Sequence, residues 1–215
     1  LLMRENRPLS TGEKMGIIAR LSVPGVLSRI TTIMMEYVDA AMVGSLGYLA
    51  SAAIGLVSSS TWLIGGLGQA FCAGFSVQVA QAVGAGDYEK ANRIFRQSVL
   101  IIFAVSLGLM TAGLSIASGL PKWLGADQEI WSDATKYFVV FMIAVPIDQM
   151  NMLCAMMLQC TGNMKTPSIM NVISCLVNVI FNFLLIFPTR LITIGSWSFL
   201  MPGAGLGVLG AALGS

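Results

Sequence analysis

The sequence predicts an all-α, polytopic membrane protein with about five complete transmembrane helices and the start of a sixth. Three observations carry that prediction. Charged residues make up 10% of the 215 residues and hydrophobic residues 56%, whereas a soluble domain is typically about 25% charged. The charges that exist are gathered between long charge-free runs at 40–86, 97–121, 166–189 and 191–215. About 20 apolar residues span the hydrocarbon core as a helix, and clusters of Gly and Pro punctuate the runs at intervals that suit connecting turns.

The first predicted helix covers 15–43, with Pro24 and Gly25 in its first half, and the turn GSLG follows it. The second covers 49–83 and closes at GAGD, residues 84–87. At a rise of 1.5 Å per residue it is about 52 Å long, so it tilts, bends or projects beyond the bilayer. The third covers 94–119, and the connection PKWLGADQE, residues 121–129, is polar and holds Pro and Gly as breakers. The fourth covers 132–159 with Pro146 inside it, and GNMKTP, residues 162–167, makes a tight turn into the fifth, 166–187. A longer loop runs to about Gly205, where a sixth helix begins in GLGVLGAALGS. Because that segment supplies only a few helical turns and position 1 is not Met, the expectation is a fragment of a longer protein. Residues 1–14 form its N-terminal segment and residues 15–215 a transmembrane lobe.

Lysine and arginine set the expected orientation. Arg4, Arg7, Lys14, Arg20, Lys90, Arg93, Arg96 and Lys165 fall on one side, against Lys122, Lys136 and Arg190 on the other. That bias places the N-terminus in the cytoplasm, with the plasma membrane, a bacterial inner membrane, as the expected location. Further apolar segments follow the first, which is not the pattern of a cleaved signal peptide. The sequence has no His, which removes His-based triads and His-ligated metals. Its four cysteines, Cys72, Cys154, Cys160 and Cys175, lack CxxC spacing and read as small core hydrophobes. No Walker A pattern exists, and a net charge of +2 without a basic cluster offers nothing to nucleic acid. No cofactor is expected.

Chemistry is therefore sought among the few polar residues inside the apolar runs. On the fifth segment Asn171, Ser174, Asn178 and Asn182 fall at offsets 0, 3, 7 and 11, one helical stripe. Such a stripe either glues helices by hydrogen bonds or faces an aqueous cavity where amide oxygens help ligate a cation. On the first segment Glu36 and Asp39 are an i, i+3 pair, and Arg29 lies two turns before Glu36. An ionised acid at mid-bilayer costs roughly 2.5–3.5 kcal/mol or more, so each needs a reason. Arg29 is the expected counter-ion of Glu36. Asp39 has no such neighbour on its own helix, and a carboxylate without a fixed partner can exchange a proton or a Na⁺. Asp148, beside Pro146, is read either as a cavity acid that attracts a cationic solute or as a partner of Arg29. Ser58, Trp62, Gly65 and Gln69 form another stripe, open to close helix packing or to a cavity. The methionines 142, 150, 152, 156 and 157 suit either an ordinary core or an adaptable apolar surface.

Taken together, the motifs resemble the N-terminal half of the multidrug and toxic compound extrusion (MATE) family of transporters. The resemblance is carried by Pro24 followed by VDAAMVGSLG with Asp39 fifteen residues on, by QAVGAGDYEKA (81–91), by LQCTGNMKTPSIMN (158–171), by NVIFNFLLIF (178–187) and by GVLGAA (207–212). It covers nearly the whole chain after about Gly12. It implies one lobe of a twelve-helix, two-lobe antiporter that exchanges H⁺ or Na⁺ for organic cations by alternating access. By the same resemblance Asp39 is the protonation or Na⁺ site and Asn178 and Asn182 are its partners. Some relatives carry an acid where this chain has Asn182, which lowers the negative charge of the site. A hydroxyl partner on the sixth helix would fall near or beyond Ser215.

The expected function is a multi-pass efflux antiporter for amphipathic cations and not an enzyme. Asp39, Asn178 and Asn182 couple it to the ion, and Glu36, Trp62, Gln69, Asp148 and Asn171 are candidate cavity residues. Its expected partners are the lipid bilayer, small organic cations and a C-terminal lobe of the same protein. The alternative is a lipid-linked saccharide flippase of related fold, which calls for several cavity arginines to hold pyrophosphate, where Arg29 is the single membrane-embedded one. An intramembrane enzyme would need a nucleophile–base pair that this composition does not offer.

Overall fold

The computed structural model describes residues 11–194 and 197–214. Long helices dominate: α1 (Thr11–Gly44), α2 (Tyr48–Gly84), α3 (Tyr88–Ile116), α5 (Gln128–Cys160) and α6 (Lys165–Ile186), with the short α4 (Leu120–Trp123) and α7 (Val208–Gly214). Of these α2, α3, α5 and α6 are long and apolar enough to cross a membrane by length and composition. The 34-residue α1 is interrupted by Arg29, Glu36 and Asp39. The predicted segments are all helical. Most ends extend by a few residues where local chemistry allows, as at the N-terminus of α3, capped by the Asp87 carboxylate accepting the Lys90 N–H at 2.9 Å. By contrast, α3 stops at Ile116, short of the predicted 119, and α6 at Ile186, short of 187.

Two connections differ from their predicted form. PKWLGADQE is not wholly irregular, because Pro121, pre-set for helical φ and lacking an N–H that a first turn would leave unbonded anyway, starts the one-turn α4. The stretch expected as a long loop before Gly205 is an antiparallel hairpin, β1 (Pro188–Ile194) with β2 (Trp197–Ala204). The run LITI followed by WSFL is rich in β-branched and aromatic residues. Residues 1–10 and Ser215 lie outside the described residues, so the N-terminal-segment expectation is reached only from Thr11, where α1 is already helical.

The helices sort into two groups. In the first, α5 packs on α2 and α3, and α2 on α3; in the second, α1 packs on α6 and α6 on α7. Contact between α1 and α2 is slight by comparison, and the main link between the groups is α7 packed on α5. Two apolar clusters fill the first group, one around Phe138, Met142 and Val57 and one around Leu153, Ile102 and Cys72. Close approach is built from missing side chains. A Cβ at Gly68 would run into the Gln149 side chain, and one at Gly113 into the Met142 thioether. A third cluster, Val43, Ala50, Ile186, Val208 and Ala211, crosses the seam between the groups. Outward faces carry exposed Leu, Ile, Val and Phe throughout, among them Leu100, Ile147, Leu176 and Phe181, as a lipid-facing surface requires.

Candidate functional site

The stripe on α6 supplies two buried amides. Asn178 is 7% exposed and Asn182 1%, because α1 packs on one side of this helix and α7 on another. Their hydrogen bonds run in one direction. Asn178 Nδ2 donates to the Gly214 carbonyl at 3.0 Å, Asn182 Nδ2 donates to Asn178 Oδ1 at 3.1 Å, and the same Asn182 nitrogen donates to Asp39 Oδ1 at 2.7 Å. The sequence expectation that Asp39, Asn178 and Asn182 converge is therefore met in geometry, with α1 and α6 joined through the last bond. Among the described residues Asn182 Oδ1 is left buried with no partner. An unsatisfied buried carbonyl costs about 1–3 kcal/mol, and this one faces Gly214, where a Cβ would occupy its place.

Beside this ladder lies a cavity of about 400 Å³ between α1, α2, α5 and α6, lined by Glu36, Asp39, Ser58, Trp62, Tyr137 and Asn182 among others. Among the described residues that line it two are acids and none is basic, so the field in it favours cations. The oxygens along the ladder are the Asp39 carboxylate, Asn178 Oδ1, Asn182 Oδ1 and the Gly214 carbonyl, of which Asp39 and Asn182 belong to residues lining the cavity. Carboxylate and carbonyl oxygens are the donors hard cations take, and the Asp39 carboxylate is also the one group among them that can hold a proton.

A second cavity, about 440 Å³, opens on the α5–α6 turn side of the same α1 helix. Arg29, Gln69, Gln159 and Asn171 line it together with Ser28 and Thr32. Asn171 Nδ2 donates to the Ser28 carbonyl (3.1 Å), Ser28 Oγ (3.0 Å) and Thr32 Oγ1 (3.0 Å), pinning α6 to α1 a second time. The two predicted stripes thus each serve both cavities: Ser58 and Trp62 border the acidic one and Gln69 the other, while Asn182 and Asn171 divide likewise.

Two expectations are corrected. Among the described residues Arg29 forms no ion pair with Glu36. Seven residues separate them by about 10 Å of helix rise, and they border different cavities. Asp148 is exposed, lines neither α1 cavity and makes no ion pair with Arg29. Two contributors escaped the sequence reading. Tyr137 stands between Lys136 and Phe138, and its position on the acidic cavity wall needs the α5 packing to be known. Gly214 acts through its carbonyl and its missing side chain, neither of which a polar-residue scan detects.

The MatE family model matches residues 24–184, which include Asp39, Asn178 and Asn182. A protein named FAD transporter from Shewanella oneidensis is 23% identical over 171 residues, covering 80% of this chain and 38% of that protein. A probable multidrug resistance protein NorM from Bradyrhizobium diazoefficiens is 35% identical over 95 residues, 44% of this chain and 20% of its own length. In structure, a MOP superfamily transporter from Pyrococcus furiosus superposes with a TM-score of 0.81 at 23% identity, over 92% of this chain and 40% of the other. The chain therefore spans less than half the length of these relatives, the extent of one lobe.

Proposed function

The chain belongs to the MatE family, and from that premise we propose that it forms one lobe of a secondary active exporter. The exporter exchanges H⁺, or Na⁺, for amphipathic organic cations by alternating access, with Asp39 as the coupling group. The observation that carries this reading is the Asp39–Asn182–Asn178 ladder opening on an acidic cavity. A cargo cation and the coupling ion would both be neutralised by the same carboxylate, so each weakens the binding of the other. Antiport needs this reciprocity. Glu36 and Trp62 would receive the cation, the first by charge and the second by its aromatic face.

The donor set favours H⁺. Asp39 keeps the Asn182 N–H on Oδ1 whether or not its other oxygen carries a proton, so protonation asks for no rearrangement. Na⁺ is the second reading, favoured by the orphaned Asn182 Oδ1. Turning that amide would bring an oxygen beside the carboxylate. α1, which carries Pro24 and touches α2 only lightly, is the element whose repacking would close the cavity. The flippase reading is set aside because Arg29 is, among the described residues, the one basic residue lining either α1 cavity.

The test is efflux of a fluorescent cation from cells or proteoliposomes under separately imposed H⁺ and Na⁺ gradients. Asp39→Asn should abolish gradient-driven efflux with membrane expression intact. Efflux at the unmodified rate would sink the coupling assignment.

A further inference from the structure

The cavity around Arg29 has no part in the coupling ladder, and its chemistry is opposite to that of the acidic cavity. It holds about 440 Å³, and among the described residues its lining includes one guanidinium, the amides of Gln69, Gln159 and Asn171, and no carboxylate. Among the described residues the side chains of Arg29, Gln69 and Gln159 make no hydrogen bond or ion pair. The Asn171 amide nitrogen, by contrast, is committed to Ser28 and Thr32 and so fixes the α1 wall from which Arg29 projects. The 22-residue α6 contributes first-turn residues Pro167 and Ser168 to the same lining, and helix N-termini favour negative charge.

We propose that this cavity binds an anionic group, a carboxylate or phosphate, on Arg29 with Gln69 and Gln159 as further N–H donors. Guanidinium presents a planar fork of donors that matches both groups in a bidentate manner. Arg29, Gln69 and Gln159 are all exposed on this cavity, so the uncommitted guanidinium and both amides are open to such a group. Glu36 and Asp39 lie about two and three turns further along α1 on the other cavity, so the bound anion would stand clear of their repulsion. The anion can arrive on a solute or as a lipid headgroup; the recognition chemistry is shared. The inference rests on the lobe belonging to a two-lobe transporter but not on Asp39 being its coupling group.

The experiment measures binding to the purified two-lobe transporter in nanodiscs. A rhodamine dye with a free carboxylate is compared with its ethyl ester, which lacks the anion. Arg29→Gln should weaken the carboxylate dye by roughly ten- to a hundred-fold, the loss expected for a charge-assisted hydrogen bond, and leave the ester unchanged. Arg29→Lys should retain more of the carboxylate affinity than Arg29→Gln does. Equal effects on both dyes, or none on either, would overturn the proposal. Phosphatidylglycerol added to phosphatidylcholine nanodiscs separates the sources. Competition that disappears in Arg29→Gln identifies a lipid headgroup as occupant. Affinity for the carboxylate dye that is Arg29-dependent yet insensitive to phosphatidylglycerol identifies a solute. Asp39→Asn, run in parallel, should lose coupled efflux but keep the Arg29-dependent difference, so the two readings fail separately.

Discussion

The Asn182 amide donates to the Asp39 carboxylate across 2.7 Å, binding α6 to α1 near the C-terminal ends of both helices. This one contact joins a titratable group to a helix interface, so changes in its chemistry should be read both as transport and as stability.

Replacing the amide by an acid is the most direct probe. Asn182→Asp puts a second carboxylate within reach of Asp39 and leaves the Asn178 and Gly214 oxygens in place. Two carboxylates with carbonyl oxygens form a better site for a hard cation than one. The expected outcome is that dye efflux by the variant becomes responsive to a Na⁺ gradient, measured in proteoliposomes at fixed pH. A variant driven by H⁺ alone would count against the ladder as an ion site.

Gly214→Ala tests the role of a missing side chain. The new Cβ would collide with Asn182 Oδ1, so either the amide or α7 must move. Overpacking of this kind costs typically about 1–3 kcal/mol. The variant should unfold at lower temperature in a detergent thermal-shift assay and lose efflux, whereas Ala substituted at the neighbouring exposed Leu213 should change neither.

Gly68 and Gln149 should behave as a coupled pair. Gly68→Ala places a methyl where the Gln149 side chain lies, which drives α2 away from α5. The double variant Gly68→Ala, Gln149→Ala should be more stable than the sum of the single effects predicts, by about 0.5–3 kcal/mol in a double-mutant cycle. Additivity would mean that the contact does not set the helix spacing.

Asn171→Leu removes the triple hydrogen bond to Ser28 and Thr32. Interhelical hydrogen bonds in membranes are worth about 0.6 kcal/mol on average and at most about 1.7. A thermal shift of a few degrees is therefore expected, with the ion dependence of efflux unchanged. A large change in ion dependence would instead place Asn171 in the coupling machinery.

Much of this was readable in the chain because lipid imposes a simple rule: polar residues in an apolar helix must face something. The offsets of Asn178 and Asn182 placed them on one face, and the structure brings that face to Asp39. The same reasoning failed for Arg29 and Glu36. Sequence spacing put them on one side of α1 but could not show that the wall they share fronts two separate cavities. Gly214 was invisible because its contribution is a carbonyl and an empty volume, and both exist only once α7 is packed. The hairpin of β1 and β2 was missed because an expectation of helices alone leaves irregular structure as the default between them, although its β-branched and aromatic residues carried the signal.

The division into two helix groups has a mechanical consequence. The interhelical side-chain bonds described above, Asn171 to Ser28 and Thr32, Asn178 to Gly214 and Asn182 to Asp39, all fasten α1, α6 and α7 to one another. Cys160 Sγ to the Ser76 carbonyl at 3.1 Å likewise fastens α5 to α2. The cluster of Val43, Ala50, Ile186, Val208 and Ala211 that spans the seam is apolar, and apolar contact has no preferred direction. The two sets are therefore held to one another by apolar packing, chiefly of α7 on α5, whereas directional bonds keep each set whole. The acidic cavity and the Arg29 cavity share α1 as a wall, so a repacking of that helix against α2 and α5 would reshape both at once.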